Sequence, residues 1–185
     1  MPADIWKELC LMGHWIRDAL ILRWGELTSR MSGNAIPVSE VVGLLLTEPF
    51  GERDTTRSRE IFASVDNLEC VWSGKPIREK FDMDHIIPFV LWRNNDTWNL
   101  LPADSMVNNS KRDRLPERSL LNKRRDVIIQ YWRIIRDNFP ERFRREMTGL
   151  TGRVMEENWE KVLFSALSDA VEFTALQRGV ERWTV

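Results

Sequence analysis

The chain has little with which to build a cross-linked or membrane-bound protein. Its 185 residues include two cysteines, Cys10 and Cys70. They form no Cys-x-x-Cys pair and no disulfide framework, which fits a reducing compartment. No apolar run approaches the roughly 18 residues that cross a bilayer, and the amino end lacks the pattern of a secretory leader. These absences point to a soluble, cytoplasmic protein with no membrane partner. Net charge is nearly absent too. The 27 basic and 28 acidic residues leave a formal charge of −1, so overall charge excludes no class of partner.

What is present is a core and an uneven distribution of charge. Hydrophobic residues make up 43% of the chain and nine are Trp, which predicts one domain's worth of aromatic-rich interior. Between Lys111 and Arg145, basic residues exceed acidic ones by seven, so the remainder carries a net charge of −8. A basic stretch in a neutral chain suits a polyanion, although a solvated helix face has the same composition.

The first third reads as helix. Ile5, Leu9, Met12, Ile16, Leu20, Trp24, Leu27 and Met31 recur every three or four residues, on one face of a long helix. Ser32-Gly33-Asn34 ends it, with Gly33 as the natural C-cap. Pro37 and Ser39 open a second helix with the apolar block Val41 to Leu46, and Pro49 closes it. Asp54-Thr55 reads as the N-cap of a third helix, which runs to about Asp66 and buries Ile61, Phe62 and Val65. His14 has no acidic or cysteine partner at ligand spacing and reads as structural or exposed. There is no internal repeat, low-complexity segment or flexible linker in this third.

From Leu68 the pattern changes. A strand-like run to Trp72 meets the turn Ser73-Gly74-Lys75-Pro76. Phe81-Asp82-Met83-Asp84-His85-Ile86-Ile87-Pro88 alternates as a half-buried strand does, with Asp82 either a ligand or, as the alternation favours, a solvent-facing strand position. Residues 89–98 read as a loop anchored in the core by Trp92 and Trp98. Asn99-Leu100-Leu101 is a second strand ended by Pro102. A short helix follows from Ala103 to Arg114 with Asp104 near its N-cap, and Leu115-Pro116 stops it.

Asp84-His85-Ile86-Ile87-Pro88, Asn99-Leu100, and Asn108-Asn109-Ser110-Lys111 trailed by Asp113-Arg114-Leu115-Pro116 together resemble the HNH nucleases with a ββα-metal finger. Cys70-Val71-Trp72-Ser73-Gly74-Lys75 looks like the family's lead-in turn. The likeness covers about residues 68–117, and the version with asparagine at the third motif position is the one found in CRISPR-associated and restriction-type enzymes. It implies Asp84 and Asn108 as metal ligands, His85 as general base, Asn99 as the brace of the loop, and DNA cleavage leaving 5′-phosphate and 3′-hydroxyl ends. Many members also carry paired Cys-x-x-Cys motifs around a structural zinc. Here Cys70 is followed by Ser73 and no cysteine lies near Asn108, so no structural zinc is expected.

The residue types suit that chemistry. Neutral imidazole titrates near working pH and can take a proton from water. One carboxylate and one amide oxygen suit a single hard cation, Mg²⁺ or Mn²⁺, with water and phosphate completing its shell. Adjacent strand residues point to opposite faces, so Asp84 and His85 share a site only if the strand ends or distorts there. Lys111 lies one turn after Asn108, placed for a phosphate or for generic affinity.

Beyond the finger, Leu121, Ile128, Trp132, Ile135 and Phe139 form the stripe of a long basic helix closed by Pro140. Lys111, Arg112 and Arg114 at the end of the finger, with Lys123, Arg124 and Arg125 of this helix, are the candidate nucleic-acid contacts. Thr148-Gly149-Leu150-Thr151-Gly152 breaks the chain. A last helix ending at Gly179 buries Met155, Trp159, Val162, Ala166, Ala170, Phe173 and Leu176.

The expected fold class is α+β, mostly α, with a small ββα-metal finger embedded in a helical scaffold. Residues 1–67 form an N-terminal helical scaffold, 68–117 the nuclease module, and 118–185 C-terminal helices that are basic, then acidic. The function expected is a divalent-metal DNA endonuclease in prokaryotic defence against foreign DNA, alone or with other subunits of a larger complex. Two alternatives are a non-catalytic DNA-binding or assembly subunit that keeps the finger for shape, and a helical adaptor.

Overall fold

A computed structural model describes residues 3–46, 52–78, 80–154 and 157–185. The fold is α+β and dominated by helix. Its chain separates into two compact units, Met1–Gly51 and Glu52–Val185.

The first unit holds helix α1 (Ala3–Met31) and helix α2 (Val38–Leu46). Gly33 and Asn34 both take positive φ, 65° and 63°, and the Gly33 and Asn34 amides bond back to Arg30 and Ser29 carbonyls, which closes α1 where its stripe stops. The two helices pack at Gly25, where an added Cβ would lie 2.9 Å from Val42 Cγ2. Gly25, Ser29 and Val41 are buried there. The stripe from Ile5 to Met31 lies on another side of α1, and its members other than the half-buried Ile16 are exposed. Pro49, Met155 and the side chain of His14 lie outside the described residues.

The second unit begins with helix α3 (Thr56–Ala63). Thr55 occupies the N-cap but its side chain makes no cap bond; Asp54 Oδ1 accepts from the Thr56 amide at 2.9 Å instead. The helix stops at Ala63, short of Asp66, because the Ser64 hydroxyl and amide turn back onto Ile61. Ile61 and Phe62 are buried.

A two-stranded antiparallel ribbon follows, β1 (Asp82–His85) and β2 (Leu100–Ala103), with Asp84 opposite Leu101 and His85 opposite Leu100. Part of the expected loop between them is ordered as the single turn of helix α4 (Phe89–Trp92) and a 3-10 turn (Thr97–Asn99). Helix α5 (Ser105–Lys111) comes next, capped by Asp104, whose Oδ1 accepts from the Met106 and Val107 amides at 2.9 and 3.1 Å. Pro102 does not end β2, because its carbonyl accepts from Val71 and proline lacks only the donor.

Strand β3 (Leu115–Pro116), helices α6 (Arg118–Lys123), α7 (Arg125–Asn138), α8 (Pro140–Thr151) and α9 (Trp159–Arg178), and strand β4 (Arg182–Trp183) complete the unit. The single long basic helix expected from the stripe is two helices. The chain bends at Arg124 (φ −99°, ψ 7°), whose guanidinium is drawn to the finger. Phe139 and Pro140 mark the start of α8; the ring of Pro140 sits in the first turn, where no backbone donor is needed. Helix α9 buries Leu163, Leu167 and Val171, one position on from the expected Val162, Ala166 and Ala170, and leaves Leu176 exposed. Small residues at that spacing outweighed the larger Leu and Val beside them. Strands β3 and β4 pair in parallel, a closure with no signal in so short a pattern.

One core spans the second unit. Trp72, Trp98 and Trp132 are its largest fully buried side chains, and Trp132 Nε1 donates to the Trp98 carbonyl at 2.9 Å. Trp92 and Trp98 meet edge to face at 6.2 Å. Both therefore pack inward. Among the described residues, no helix is long and apolar enough to cross a membrane.

Candidate functional site

The ribbon, the 3-10 turn and α5 enclose a small buried polar cluster. Strand β1 ends at His85. The chain then bends through the buried pair Ile86-Ile87, and Asn99 holds the bend. Its Oδ1 accepts from the Ile87 amide at 2.8 Å, its Nδ2 donates to the Ile87 carbonyl at 2.9 Å, and its own carbonyl accepts from Ile86. Asn99 thus serves as a backbone splint, and a residue with both a donor and an acceptor on one planar group is required for it. Glu146 of α8 anchors the same turn, accepting from the Thr97 amide at 2.7 Å and hydroxyl at 2.6 Å while paired with Arg142 at 2.5 Å.

Asp84 is buried at the centre. Its carboxylate accepts from Trp72 Nε1 at 2.5 Å and from the Lys111 ammonium, which lies 3.1 Å from each of its oxygens. Lys111 also donates to the His85 carbonyl at 2.6 Å and is completely buried. Burial pushes the Asp84 carboxyl up, against the pull of Lys111 and Trp72. Burial likewise pushes Lys111 down, against Asp84. The pair satisfies each other, and the Trp72 face adds a cation–π contact 5.8 Å from the ammonium.

His85 is buried beside the Phe89 ring, and its Nε2 has no hydrogen-bond partner. Burial, followed by the charge of Arg53, lowers its pKa to about 4; contacts with Asn95 and Asn94 act the other way. The ring is therefore neutral at ordinary pH. A buried ring nitrogen without a partner is costly to maintain, so such atoms concentrate where a proton or a ligand is to be received.

Asn108 stands half-buried on α5, its Nδ2 3.3 Å from Asp82 Oδ2. Asp82 is half-buried and hydrogen-bonded and does not face solvent as the alternation suggests. It shares its strand face with Asp84, two residues on, and α5 covers that face. Its amide nitrogen engaged, Asn108 leaves its amide oxygen for another partner. Asp84, Asp82 and Asn108 are oxygen donors, the set that suits a hard divalent cation. Among the described residues no three His, Cys, Asp or Glu side chains converge, so such an ion would draw most of its shell from water and substrate.

The basic residues sort by what they touch. Lys111 is enclosed. Arg124 reaches into the finger, where Nε donates to the Val71 carbonyl at 2.6 Å and the guanidinium pairs with Glu69. It lies against Gly74, whose φ of 72° and missing Cβ admit it, since a Cβ would sit 2.7 Å from the guanidinium. Arg114 caps α5 by donating to the Lys111 and Ser110 carbonyls. Arg112, Lys123 and Arg125 are exposed, with Arg125 also 5.4 Å over the Phe164 ring. Farther on, Arg133, Arg136 and Arg144 pair with Glu160, Asp137 and Glu141, so part of the basic excess is neutralised locally.

Sequence reasoning passed over Arg53. It is exposed, donates to the Met83 carbonyl at 3.3 Å, and its charge is felt by Asp84, His85 and Lys111. No motif marks it, because it lies before α3 and reaches the cluster only through the fold. Trp72 was also missed as a partner of Asp84. Its indole N–H needs an acceptor once buried, and an unusually apolar lead-in turn was the available sign.

Residues 70–117 match the family model described as HNH endonuclease, and residues 1–45 match one described as a domain of unknown function. No curated protein and no solved structure matches the chain.

Proposed function

Proceeding from an HNH endonuclease module at residues 70–117, we propose that the protein hydrolyses DNA phosphodiester bonds with a divalent metal ion. The observation that carries this reading is the buried, unpartnered Nε2 of a neutral His85, held at the end of β1 next to Asp84. His85 accepts the proton of the attacking water as general base. With a pKa of about 4 it is a weak base in the free protein. The anionic phosphodiester, once bound, raises that pKa toward the range in which proton transfer is efficient.

Asp84 and Asn108 would hold one Mg²⁺ or Mn²⁺ ion, with Asp82 beside Asn108. Bound there, the ion supplies Lewis-acid polarisation of the phosphate and charge stabilisation for the departing 3′ oxygen. Asn99 keeps Ile86-Ile87 in the bend that places His85, and Lys111 keeps Asp84 ionised and oriented in a dry setting. Lys111 acts through Asp84 and does not bind the DNA backbone, since nothing of it reaches solvent. Arg53, Arg112, Lys123 and Arg125 are exposed cations available to phosphates. Products carry 5′-phosphate and 3′-hydroxyl ends, and defence against foreign DNA is the setting that the motif implies.

Supercoiled plasmid incubated with Mg²⁺ or Mn²⁺ tests the reading. Wild type yields nicked or linear DNA that a ligase reseals, and His85→Ala does not cleave. Equal cleavage by both proteins refutes it. One observation favours a second reading, a DNA-binding subunit that keeps the finger for shape: both oxygens of Asp84 are already engaged. That reading predicts retention of DNA without cleavage under every metal.

A further inference from the structure

Among the described residues, the stripe on α1 has no partner within its own unit. Gly25 meets α2, and at 100° per residue it and the buried Ser29 fall nearly opposite the stripe. Ile5, Leu9, Met12, Leu20, Trp24, Leu27 and Met31 are 38 to 80% exposed, and with the half-buried Ile16 they occupy about 120° of arc. Among the described residues, twelve exposed large apolar side chains belong to the first unit and five to the second, so the exposure is concentrated and not scattered.

We propose that this stripe is the contact surface of a symmetric dimer, in which α1 of one copy packs antiparallel against α1 of a second copy. The spacing of the stripe carries the assignment. Its eight positions step by 4, 3, 4, 4, 4, 3 and 4 residues, which reads the same in both directions. Reversed against itself, the stripe pairs Ile5 with Met31, Leu9 with Leu27, Met12 with Trp24 and Ile16 with Leu20, every apolar side chain meeting another. A two-fold interface requires self-complementarity of this kind, and an unrelated partner has no use for it.

Charge selects the direction. At 100° per residue Glu8 and Glu26 fall just outside one edge of the stripe and Arg30 falls on that edge, while Arg23 lies inside the arc and is paired to Glu26 at 2.7 Å. Antiparallel packing brings this edge of the two copies together and sets Glu8 near Arg30 of the second copy twice over; parallel packing places the same edge of the two copies on opposite sides of the seam, where the two charges do not meet. The area is sufficient as well. At roughly 100 Å² of apolar surface per side chain, the stripe removes about 800 Å² per copy from water, the size of a standard stable interface. This inference is independent of the nuclease reading, and its consequence for that reading is two modules carried by one assembly.

Sedimentation velocity on the full chain decides the matter. The expected result is a species of twice the chain mass at low micromolar concentration. Leu20→Glu puts two carboxylates at the middle of the interface and raises the dimer dissociation constant roughly a hundredfold or more, with an unchanged circular dichroism spectrum because Leu20 is exposed within its own copy. A chain that stays monomeric up to roughly 100 µM, or a Leu20→Glu variant that dimerises like wild type, overturns the proposal. Direction is read by oxidative cross-linking in a Cys10→Ser background. Leu9→Cys and Leu27→Cys chains cross-link when mixed and not alone; Leu9→Cys chains linking to each other overturn the antiparallel assignment.

Discussion

Lys111→Met isolates the interaction on which the candidate site is built. Wild-type Lys111 gives its ammonium to both oxygens of Asp84 and to the His85 carbonyl, and both charged side chains are buried. Methionine keeps most of the volume and removes the charge. Asp84 then retains only the Trp72 indole as donor, and the His85 carbonyl loses its ammonium. Breaking a buried pair by deleting one partner costs about 3–5 kcal/mol. Against a typical stability of roughly 5–15 kcal/mol this is a large fraction, and in a unit of this size it lowers Tm by roughly ten degrees or more. The sign of the pH dependence follows from burial, which already holds the Asp84 carboxyl above its ordinary value. Without Lys111 it rises further. A group whose folded pKa is raised contributes stability at low pH and loses it as pH climbs, so the deficit of the variant is smallest in acid and grows toward neutrality. Mg²⁺ adds a second signature. In wild type the ion competes with an ammonium for Asp84, whereas in the variant it meets an uncompensated carboxylate, so Mg²⁺ raises the Tm of Lys111→Met more than that of wild type. Differential scanning calorimetry at several pH values, with and without Mg²⁺, measures all three effects. A variant within 1 kcal/mol of wild type at neutral pH without metal refutes the view that this pair is a closed electrostatic unit.

Asn99→Ala removes two side-chain bonds to the Ile87 backbone and leaves a buried N–H and C=O unpaired, a loss of about 2–4 kcal/mol in urea denaturation together with loss of cleavage. His85 is neutral above its pKa of about 4, so kcat/KM for cleavage does not fall between pH 7 and 5.5 as it does for an ordinary histidine. The same depressed pKa contributes stability that is present above pH 6.5 and lost as pH falls through about 4, a decline that His85→Gln lacks. Arg53→Ala leaves Tm nearly unchanged and weakens DNA binding, and the slope of log affinity against log salt drops by about one phosphate contact; an unchanged slope removes Arg53 from the DNA surface.

How far the sequence disclosed this arrangement depends on how local each signal was. The joint spacing of Asp84-His85, Asn99 and Asn108 placed the ribbon, the bend and α5, because each of those elements closes within a few residues and its caps are visible in the chain. The helices before the finger were legible from their apolar period for the same reason, whereas after it the period showed helix without the division into α6, α7 and α8. Arg124 was not. Its charge reads as surface, and only the concave turn at Gly74 gives its guanidinium a place inside, which also breaks the helix that a continuous stripe suggests. Lys111 deceived in the same way, since a lysine one turn beyond a candidate metal ligand looks like a phosphate contact until the carboxylate it faces is seen to be buried. Asp82 was set facing solvent because period-2 alternation says which side of a strand a residue takes and nothing about what covers that side, and Arg53 was overlooked because it reaches the cluster only through the fold. The stripe on α1 was recognised from its period as one face of a helix, but period alone did not show that α2 takes a different face.

The parallel bridge between β3 and β4 bears on when the candidate site is completed. Trp183 lies edge to face with Trp72 at 5.9 Å, and Trp72 is the indole that holds Asp84. These two residues are more than one hundred positions apart. A ribosome adds residues one by one, so the whole segment from Cys70 to Pro116 leaves the exit tunnel while the neighbour of Trp72 does not yet exist. The ribbon and α5 form early from local contacts, but the indole beside Asp84 is clamped only after Trp183 is made and docked. Synthesis thus imposes a delay on the maturation of the centre, and a nascent chain stalled before that point carries the motif without its support.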